Sequence, residues 1–572
     1  MGSSFRTGLP DIHDFSGKIA RRLKAIYPDA FSEALVNRIL AEINGISQPG
    51  PLWDEKDVVL ISYGDSLMSP NEKPLVTLRR FLNHRLSHSI SCIHLLPFFP
   101  STSDDGFAVS DYMSVSAKLG NWEDIDALRA DYTLMFDLVL NHVSASHSWF
   151  INFCRDKSPG KGYFIEMDPS ADYHQVVRPR SSPLFTPFST EGGIKYLWTT
   201  FSNDQIDLNY SNPEVLIEII RVLLFYIAHG ARIIRLDAIA FLWKEENTNC
   251  LHLPNTHEII RLLRDIVNYA NPRTILLTET NVPNPENWSY FGQNDEAHMV
   301  YQFTLPPLIL YTLFTGCSKY LTTWAETIPN TGGNRTFLNF TASHDGIGVR
   351  PLEGILPENE IQGLITGIRK FGGLVSEKRN PDGTSGIYEM NSTYLDALKG
   401  TRNGLDQYRE KRFLCSQLIM FALKGIPAVY VNSLLGADND DEGVQRTGQA
   451  RSINRRKWDA TAIADLLTRE TPNKQIFNGL LQAMEIRNHT RAFHPDCSQV
   501  ILRFGDAFFA FAREKMETGE KIFCVYNITD HSVVLSDEKI TVSEGLTDLL
   551  TGSKLQREGG ILFGPYQAMW LT

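Results

Sequence analysis

Eight short apolar runs recur through this 572-residue chain, and they restrict the folds that it can adopt. They start at residues 58, 90, 133, 232, 274, 300, 336 and 426. Each run is continuously apolar, as expected of a strand covered on both faces, and several intervals between runs carry a helical pattern. The alternation predicts an α/β fold, and eight strands fit a closed parallel (β/α)8 TIM barrel better than an open sheet.

Changes of pattern divide the rest of the chain. The intervals after the third and seventh strands are the longest, so we expect insertions there, on the face where barrel enzymes place their active sites. The last segment alternates apolar and polar residues between turn signals, which predicts an antiparallel β-sandwich. The predicted divisions are an N-terminal helical extension at 1–55, a barrel in three parts at 56–143, 206–350 and 406–490, insertions at 144–205 and 351–405, and a C-terminal β domain at 491–572.

The composition argues against several kinds of partner. A formal net charge of −11 disfavours nucleic acid and an anionic membrane surface, since both select basic proteins. The seven cysteines are dispersed without a C-x-x-C pair, and the first residues contain no apolar leader, so we expect reduced thiols and a cytoplasmic protein. The sequence predicts neither a metal site nor a cofactor, and it leaves the oligomeric state open.

Charged and histidine side chains follow the predicted strands, at the ends that should meet at one rim. They are His142 after the third strand, Arg235 and Asp237 in the fourth, Glu279 after the fifth, and His344 and Asp345 after the seventh. Any one of them alone would be an ordinary helix cap or a solvated charge. Three carboxylates with an arginine and two histidines at one rim indicate an active site.

Two of these carboxylates suit retaining glycoside transfer. Such enzymes hold a nucleophile and an acid/base about 5 to 5.5 Å apart. Arg235, two residues before Asp237 on the same face of the strand, would keep that carboxylate charged as the nucleophile. Glu279 follows the apolar run TILLT, a setting that raises a carboxyl pKa and suits the proton donor.

The motifs DLVLNH, IIRLDAIA, ILLTET and ASHDGIG occur in this order and resemble the signature regions of the α-amylase superfamily, glycoside hydrolase family 13. The resemblance covers roughly residues 57 to 572. It implies that Asp237 is the nucleophile, Glu279 the general acid/base and Asp345 a third acid that binds glucose hydroxyls. It also implies that His142 and His344 bind hydroxyls, and that Arg235 is the partner of the nucleophile.

Within that superfamily the chain resembles the sucrose phosphorylase branch, through HLLPFFPSTSDDGFAVSDY, VVRPRSSPLFTPF, WTTFSNDQIDLNY, IYEMNSTYLDAL and ARSINRR. The first insertion then corresponds to domain B, and the second to a domain B′ that carries a mobile acceptor loop. The resemblance implies glucose contacts from Asp104, Phe107, Phe201, Gln205 and Arg451. On the acceptor side it implies a phosphate-handling Arg180 and the loop residue Tyr388.

Two positions depart from the sucrose phosphorylases. Asn281 stands where those enzymes carry a histidine, and Glu389 stands where they carry a glutamine; both positions contact the acceptor or phosphate. The segments ETNVP, NPDGT and YEMNSTY resemble the glucosylglycerate phosphorylases instead. The implied partners are inorganic phosphate and a small α-glucoside, 2-O-α-glucosyl-glycerate. Because glycerate and phosphate are both anions, Arg180 is the candidate that binds each in turn by bidentate hydrogen bonds.

Several other functions share these residues. Sucrose, sucrose 6′-phosphate or glucosylglycerol would require only a different acceptor site. An α-glucosidase or glucanotransferase of the same superfamily would use the same catalytic groups. An inactive amylase-like scaffold should have lost one of Asp237, Glu279 and Asp345, and this chain retains all three.

Overall fold

The computed structural model describes residues 12–43, 49–168, 170, 172–379, 384–536, 545–555 and 560–572. Parts of the predicted N-terminal extension, and residues 380–383 of the NPDGT segment, lie outside these ranges. Within them, no helix combines the length and apolar character needed to cross a bilayer. All seven cysteines are free thiols.

The eight predicted strands form a closed parallel barrel, which confirms the predicted fold class. The strands are β1 Val59–Ser62, β2 Cys92–Leu95, β3 Thr133–Val139, β4 Ala231–Asp237, β5 Ile275–Thr278, β6 Met299–Tyr301, β7 Thr336–Phe340 and β8 Ile426–Tyr430. Each strand pairs with its neighbours in sequence, and β8 closes the barrel on β1. Because helices and side chains cover both faces, nearly every strand residue is buried.

Helices cover the outside of the barrel. The longer ones are Pro74–Arg85, Trp122–Asp131, Pro213–Ala228, Pro254–Ala270, Leu305–Thr315, Lys319–Thr327, Arg409–Ala422, Ala460–Thr468 and Pro472–Asn488. The helix Pro213–Ala228 shows how the sequence sets a boundary: the Asn212 side chain accepts the Glu214 N–H, and proline occupies the first turn. Its position after the first insertion returns the chain to β4.

Two N-terminal helices, Ile12–Ile26 and Glu33–Glu42, pack against the outer helices rather than the strands. Phe15 stacks on Tyr269 with ring centroids 3.9 Å apart. Arg38 binds the Glu214 carboxylate through two hydrogen bonds of 2.6 and 2.8 Å. The extension is therefore attached to the barrel by aromatic and ionic contacts.

The insertions after β3 and β7 each bring an antiparallel sheet to the C-terminal face of the barrel. The first carries the helix Ser148–Cys154, the hairpin Phe185–Thr190 with Gly193–Trp198, and the short pair His142–Ser144 with Gln205–Asp207. The second carries the helix Glu358–Lys370, the hairpin Leu374–Arg379 with Ser385–Asn391, and the strand Ile347–Gly348 beside it. The division of the chain into domains stays a prediction.

The C-terminal residues form antiparallel sheets, as predicted. Six strands lie in the order Ser498–Leu502, Phe508–Lys515, Glu520–Asn527, Ala568–Leu571, Thr547–Asp548 and Ser553–Lys554. One face buries Val525 and Met569 against the two-stranded sheet of Val533–Leu535 and Ile561–Phe563. From the other face, the Tyr526 hydroxyl donates to the Leu418 carbonyl oxygen on an outer helix of the barrel at 3.0 Å.

Candidate active site

A cavity of about 220 Å³ opens at the C-terminal ends of the barrel strands, bordered by both insertions. Every side chain that the sequence predicted for the site lines it. These are Asp104, Phe107, His142, Arg180, Phe201, Gln205, Arg235, Asp237, Glu279, Asn281, His344, Asp345, Tyr388, Glu389 and Arg451. The structure thus brings the set together, whereas the role of each residue stays a prediction.

Asp237 and Glu279 are linked through the side chain of Arg235 and through the backbone N–H of Ala238. Arg235 Nη1 donates to Asp237 Oδ1 at 2.6 Å, and its Nη2 lies 3.9 Å from Glu279 Oε1. Ala238, directly after Asp237, is left-handed with φ at 50°, and its N–H donates to Glu279 Oε2 at 2.9 Å. A strained backbone conformation of this kind is usual where a site requires it. One guanidinium and one peptide group therefore position both carboxylates.

The two carboxyl groups titrate as a pair. Burial raises the pKa of Asp237 and the pKa of Glu279, because each carboxylate loses hydration. The positive charge of Arg235 acts against this rise and lowers both pKa values. Its guanidinium is hydrogen-bonded to Asp237 but lies 3.9 Å from Glu279. The hydrogen bond from Arg235 favours the charged form of Asp237, whereas Glu279 accepts its hydrogen bond from the neutral peptide N–H of Ala238.

Asp137 and His94 support Arg235 from behind; the sequence placed Asp137 at the end of the third strand but gave it no role, and it did not single out His94. Arg235 Nη1 also donates to Asp137 Oδ1 at 2.5 Å, and His94 Nε2 lies 2.7 Å from Asp137 Oδ2. Despite its burial, contact with Arg235 lowers the pKa of Asp137, so the carboxylate is ionised. Both residues point inward from strands, and that period-two position was the available signal.

Asp345 is held by a second arginine. Arg451 Nη1 lies 2.6 Å from Asp345 Oδ1, while its Nε and Nη2 donate to Glu389 at 3.1 and 2.6 Å. Burial opposes ionisation, yet the Arg451 guanidinium keeps the pKa of Asp345 well below its usual range. Glu389, predicted for the acceptor side, is only 2% exposed and is bonded to Arg451. Its contacts are those of a residue that orients the glucose-side arginine.

Two neutral histidines line the same part of the cavity. Burial lowers the pKa of His344 to about 3, and it also lowers the pKa of His142. His344 stacks on Phe107 with ring centroids 4.9 Å apart, and His142 Nε2 lies 3.1 Å from the Phe107 carbonyl oxygen. A neutral imidazole offers one donor and one acceptor, which suits sugar hydroxyls.

Asp104 reaches the cavity from an unusual backbone turn after β2. Residues 104, 105 and 106 have successive φ values of 51°, 47° and 115°. Gly106 is required there, because a Cβ would lie 2.7 Å from the Pro97 carbonyl oxygen. Gln205 Nε2 donates to Asp104 Oδ2 at 3.1 Å, which fixes the carboxylate at the rim.

The acceptor side is built from both insertions. The guanidinium of Arg180 lies over the rings of Phe201 and Tyr388, 5.8 and 5.4 Å from their centroids. Asn281 packs so closely against Gly348 that a Cβ there would lie 2.3 Å from its Oδ1. These contacts join the end of β5 to the hairpin that carries Tyr388.

Four further cations line the cavity and were not assigned by the sequence prediction: Arg178, Arg350, Lys378 and Arg379. Arg178 lies two residues from Arg180 in VVRPR, and the last two lie in the charged run SEKR. Proximity to predicted acceptor residues was the only signal, because a charged loop is usually just solvated.

The described ranges contain no group of three His, Cys, Asp or Glu side chains placed to hold a metal ion.

A buried ammonium connects the barrel to the first insertion. Lys244 Nζ lies 2.7 Å from Asn141 Oδ1 and 2.6 Å from Asp207 Oδ2. This contact fixes the strand pair that carries His142 and Gln205.

Comparison with known proteins gives the family. A family model of the α-amylase catalytic domain matches residues 87–345. The glucosylglycerate phosphorylase of Spirochaeta thermophila is 43% identical over 532 residues, which cover 91% of this chain and 90% of that protein. The one from Escherichia coli is 41% identical over 562 residues, covering 97% and 99%. The chain belongs to the glucosylglycerate phosphorylase group of the α-amylase family. The predicted resemblance is confirmed.

The fold is shared with a solved phosphorylase. The crystal structure of sucrose 6F-phosphate phosphorylase from Thermoanaerobacter thermosaccharolyticum superposes with a TM-score of 0.74 at 24% sequence identity. The match covers 89% of this chain and 98% of that one. At this level of identity the likeness concerns the fold.

Proposed function

We propose that the protein catalyses the reversible phosphorolysis of 2-O-α-glucosyl-D-glycerate to α-D-glucose 1-phosphate and D-glycerate, with retention at the anomeric carbon. Membership of the glucosylglycerate phosphorylase group supports the substrate. The observation that carries the proposal is the distribution of charge along the cavity. Arg235 and Arg451 bind the carboxylates at the glucose end, whereas further arginines line the acceptor end.

The first step transfers glucose to the enzyme. Asp237 attacks the anomeric carbon, and the bond to the glycerate oxygen breaks as Glu279 donates its proton to that oxygen. The contacts of Arg235 with Asp237 and of the Ala238 N–H with Glu279 support these opposite tasks. Glycerate leaves with the proton, and a covalent glucosyl-Asp237 ester remains.

The second step regenerates the enzyme. A phosphate oxygen attacks the anomeric carbon from the side that glycerate left, and the ester bond to Asp237 breaks. Glu279, now ionised, accepts the proton of the attacking phosphate. Two inversions give net retention, so the product is α-glucose 1-phosphate.

The remaining residues bind the sugar and the acceptor. Asp345 and Arg451 form one charged pair for the glucose hydroxyls, and the hydrogen-bonded Asp104 and Gln205 form another polar pair in the same cavity. Phe107 and Phe201 provide apolar walls, and His142 and His344 contribute neutral hydrogen-bonding groups. The acceptor end is formed by Arg180, Asn281 and Tyr388. There phosphate replaces glycerate, and both are anions.

The test is to incubate the purified protein with glucosylglycerate and phosphate. We expect phosphate-dependent release of glucose 1-phosphate, with the α anomer identified by proton NMR. Release of β-glucose 1-phosphate would contradict double displacement. Release of free glucose at the same rate without phosphate would contradict phosphorolysis and favour an α-glucosidase of this family.

A donor panel separates the phosphorylases. Sucrose, sucrose 6′-phosphate, glucosylglycerol and glucosylglycerate share the glucosyl group and differ only in the leaving acceptor. The acceptor end of the cavity is cationic, so kcat/KM should be highest for glucosylglycerate and lowest for the neutral donors. A preference for sucrose would reject the proposed substrate while leaving the catalytic groups unaffected.

A further inference from the structure

The cations of the acceptor end fall into two kinds, according to whether a carboxylate balances them. Arg350 Nη2 lies 3.0 Å from Glu286, and Lys378 Nζ lies 3.9 Å from Glu353. For Arg178, Arg180 and Arg379, no carboxylate of the residues described here lies within ion-pair distance. A cavity wall that carries unbalanced positive charge is stabilised by a bound anion.

Arg178, from the first insertion, and Arg379, from the second, both line the cavity. Burial lowers the pKa of Arg178, and the charge of Arg379 lowers it further. The guanidinium of Arg178 is anchored by donating to the Ser182 carbonyl oxygen. Arg379, in contrast, is exposed at the mouth. Two guanidinium groups that face one space without a carboxylate provide a fork for a planar, bidentate anion.

Arg180 occupies a different place. Its guanidinium is held between Phe201 and Tyr388. Tyr388 immediately precedes Glu389, whose strand partner is Ser376. Arg379 lies three residues beyond Ser376, about 10 Å further out along the hairpin. Arg180 thus lies level with Tyr388, and Arg379 lies further along the hairpin, where it is exposed.

We propose that Arg178 and Arg379 form a second anion-binding position, which binds the carboxylate of the acceptor, and that phosphate is bound by Arg180. The inference rests on the proposed function and deepens it, because it assigns the choice of acid acceptors over polyols to two residues. The acceptor class is a short 2-hydroxy acid. Its hydroxyl faces Glu279, and its carboxylate extends toward the mouth.

The test uses Arg178→Gln, Arg379→Gln and the double variant, with Arg379→Lys as the conservative variant. Arg369→Gln is the matched control, since Arg369 is exposed on the helix that precedes the same hairpin. In the synthetic direction, with glucose 1-phosphate as donor, KM for D-glycerate should rise at least ten-fold in each glutamine variant. In phosphorolysis, KM for phosphate should change less than about three-fold. Arg379→Lys should recover part of the glycerate affinity.

The acceptor preference provides a second readout. The ratio of rates with glycerate and glycerol should shift toward glycerol in the double variant. Equal increases of KM for phosphate and glycerate, or no change of either, would overturn the assignment. The assignment would also be overturned if Arg379→Lys recovered no affinity for glycerate and the double variant kept the wild-type ratio of rates with glycerate and glycerol.

Failure of the proposed function would look different. If wild-type protein releases no glucose 1-phosphate from glucosylglycerate, the proposed reaction is wrong. Calorimetric binding of D-glycerate to wild-type protein and to the double variant then decides the inference alone, because it requires no turnover. A ten-fold weaker binding in the variant would support the anion position, and equal binding would reject it.

Discussion

Arg235 is the residue on which the reactive pair depends. It contacts Asp137, Asp237 and, at 3.9 Å, Glu279, and it is 3% exposed. A buried guanidinium among three carboxylates is favourable because each charge is partly balanced, whereas any of them alone would be costly to bury. The unequal distances leave Asp237 in a direct hydrogen bond with the guanidinium and Glu279 without one.

Replacing Glu279 by Gln should separate donors by their leaving groups. Glycerate needs a proton as it leaves, so glucosylation from glucosylglycerate should slow by about 10²–10⁴-fold. Fluoride leaves without one, so glucosylation from α-glucosyl fluoride should slow far less. Rapid-quench measurement of the first turnover gives both rates. Asp237→Asn is the matched variant, and its rate of glucosylation should fall equally with both donors. An equal fall with both donors in Glu279→Gln would contradict the role of Glu279 as the acid.

The pH dependence of phosphorolysis should contain the same information. The first step needs Glu279 protonated, and burial raises the pKa of that carboxyl. Therefore kcat/KM for glucosylglycerate should be high below the raised pKa and fall as the pH increases through it. The residual activity of Glu279→Gln should lack this alkaline limb. An unchanged alkaline limb in the variant would assign the titration to another group.

Replacing Glu389 by Gln tests its contact with Arg451. The variant retains the shape but removes one of two charges that hold the guanidinium, so kcat/KM should fall about ten-fold for phosphate and glycerate alike. Steady-state kinetics in both directions measure this, with the exposed Glu377→Gln of the same hairpin as the control. A selective increase of KM for phosphate would place Glu389 on the acceptor side.

The sequence was informative where a contact is local. Arg235 and Asp237 are two residues apart on a strand, so their shared face follows from the strand period alone. The bond between Glu389 and Arg451 joins residues 62 positions apart, and no pattern predicts it. No role was predicted for Asp137 or His94, because polar residues inside apolar strands look the same whether they serve a core or a site.

At the scale of elements, continuous burial made the barrel strands predictable, whereas the partly exposed strands of the insertions carried no pattern that would predict them. All eight barrel strands were predicted because both of their faces are covered. The strand Leu374–Arg379, with the sequence LVSEKR, is largely solvent-accessible and has no apolar alternation to identify it. Its position over the cavity follows from pairing with Ser385–Asn391, which in turn pairs with Ile347–Gly348, and this is tertiary information.

Lys244 supplies a prediction about how the first insertion is attached. Replacing it by Met should leave the Asp207 carboxylate buried without a cation and lower the free energy of unfolding by about 3–5 kcal/mol. Urea unfolding followed by circular dichroism measures this change. The double variant Lys244→Met with Asp207→Asn should recover part of the loss, because it removes the unbalanced charge. An equal loss in both variants would contradict the ionic explanation.

At the scale of the whole molecule, the net charge and the charge at the cavity mouth have opposite signs. The chain carries a formal charge of −11, yet the acceptor end presents arginines from both insertions. A local cluster of this kind attracts anions only within about 10 Å at ordinary ionic strength. Total composition therefore gave no indication of the acceptor, and its prediction that nucleic acid and membranes are not partners stays a prediction.

Salt should affect the charged and neutral acceptors differently. Raising the ionic strength from about 0.02 to about 0.5 M should increase KM for phosphate and glycerate several-fold, because screening weakens their attraction to the mouth. The KM for glycerol as acceptor should change little. Initial rates across a series of sodium chloride concentrations test this. A parallel change for glycerol would indicate a general effect of salt on the protein.

Closure of the barrel by β8 on β1 also sets an order of events during biosynthesis. β1 cannot pair with β8 until residues 426–430 have been synthesised, and these residues follow both insertions in the chain. Arg451 emerges later still, so Asp345 and Glu389 lack their common cation until then. A nascent chain cut short before residue 426 would display an open, aggregation-prone sheet edge, and one cut short between β8 and Arg451 would have the strands of the barrel without the cation shared by Asp345 and Glu389.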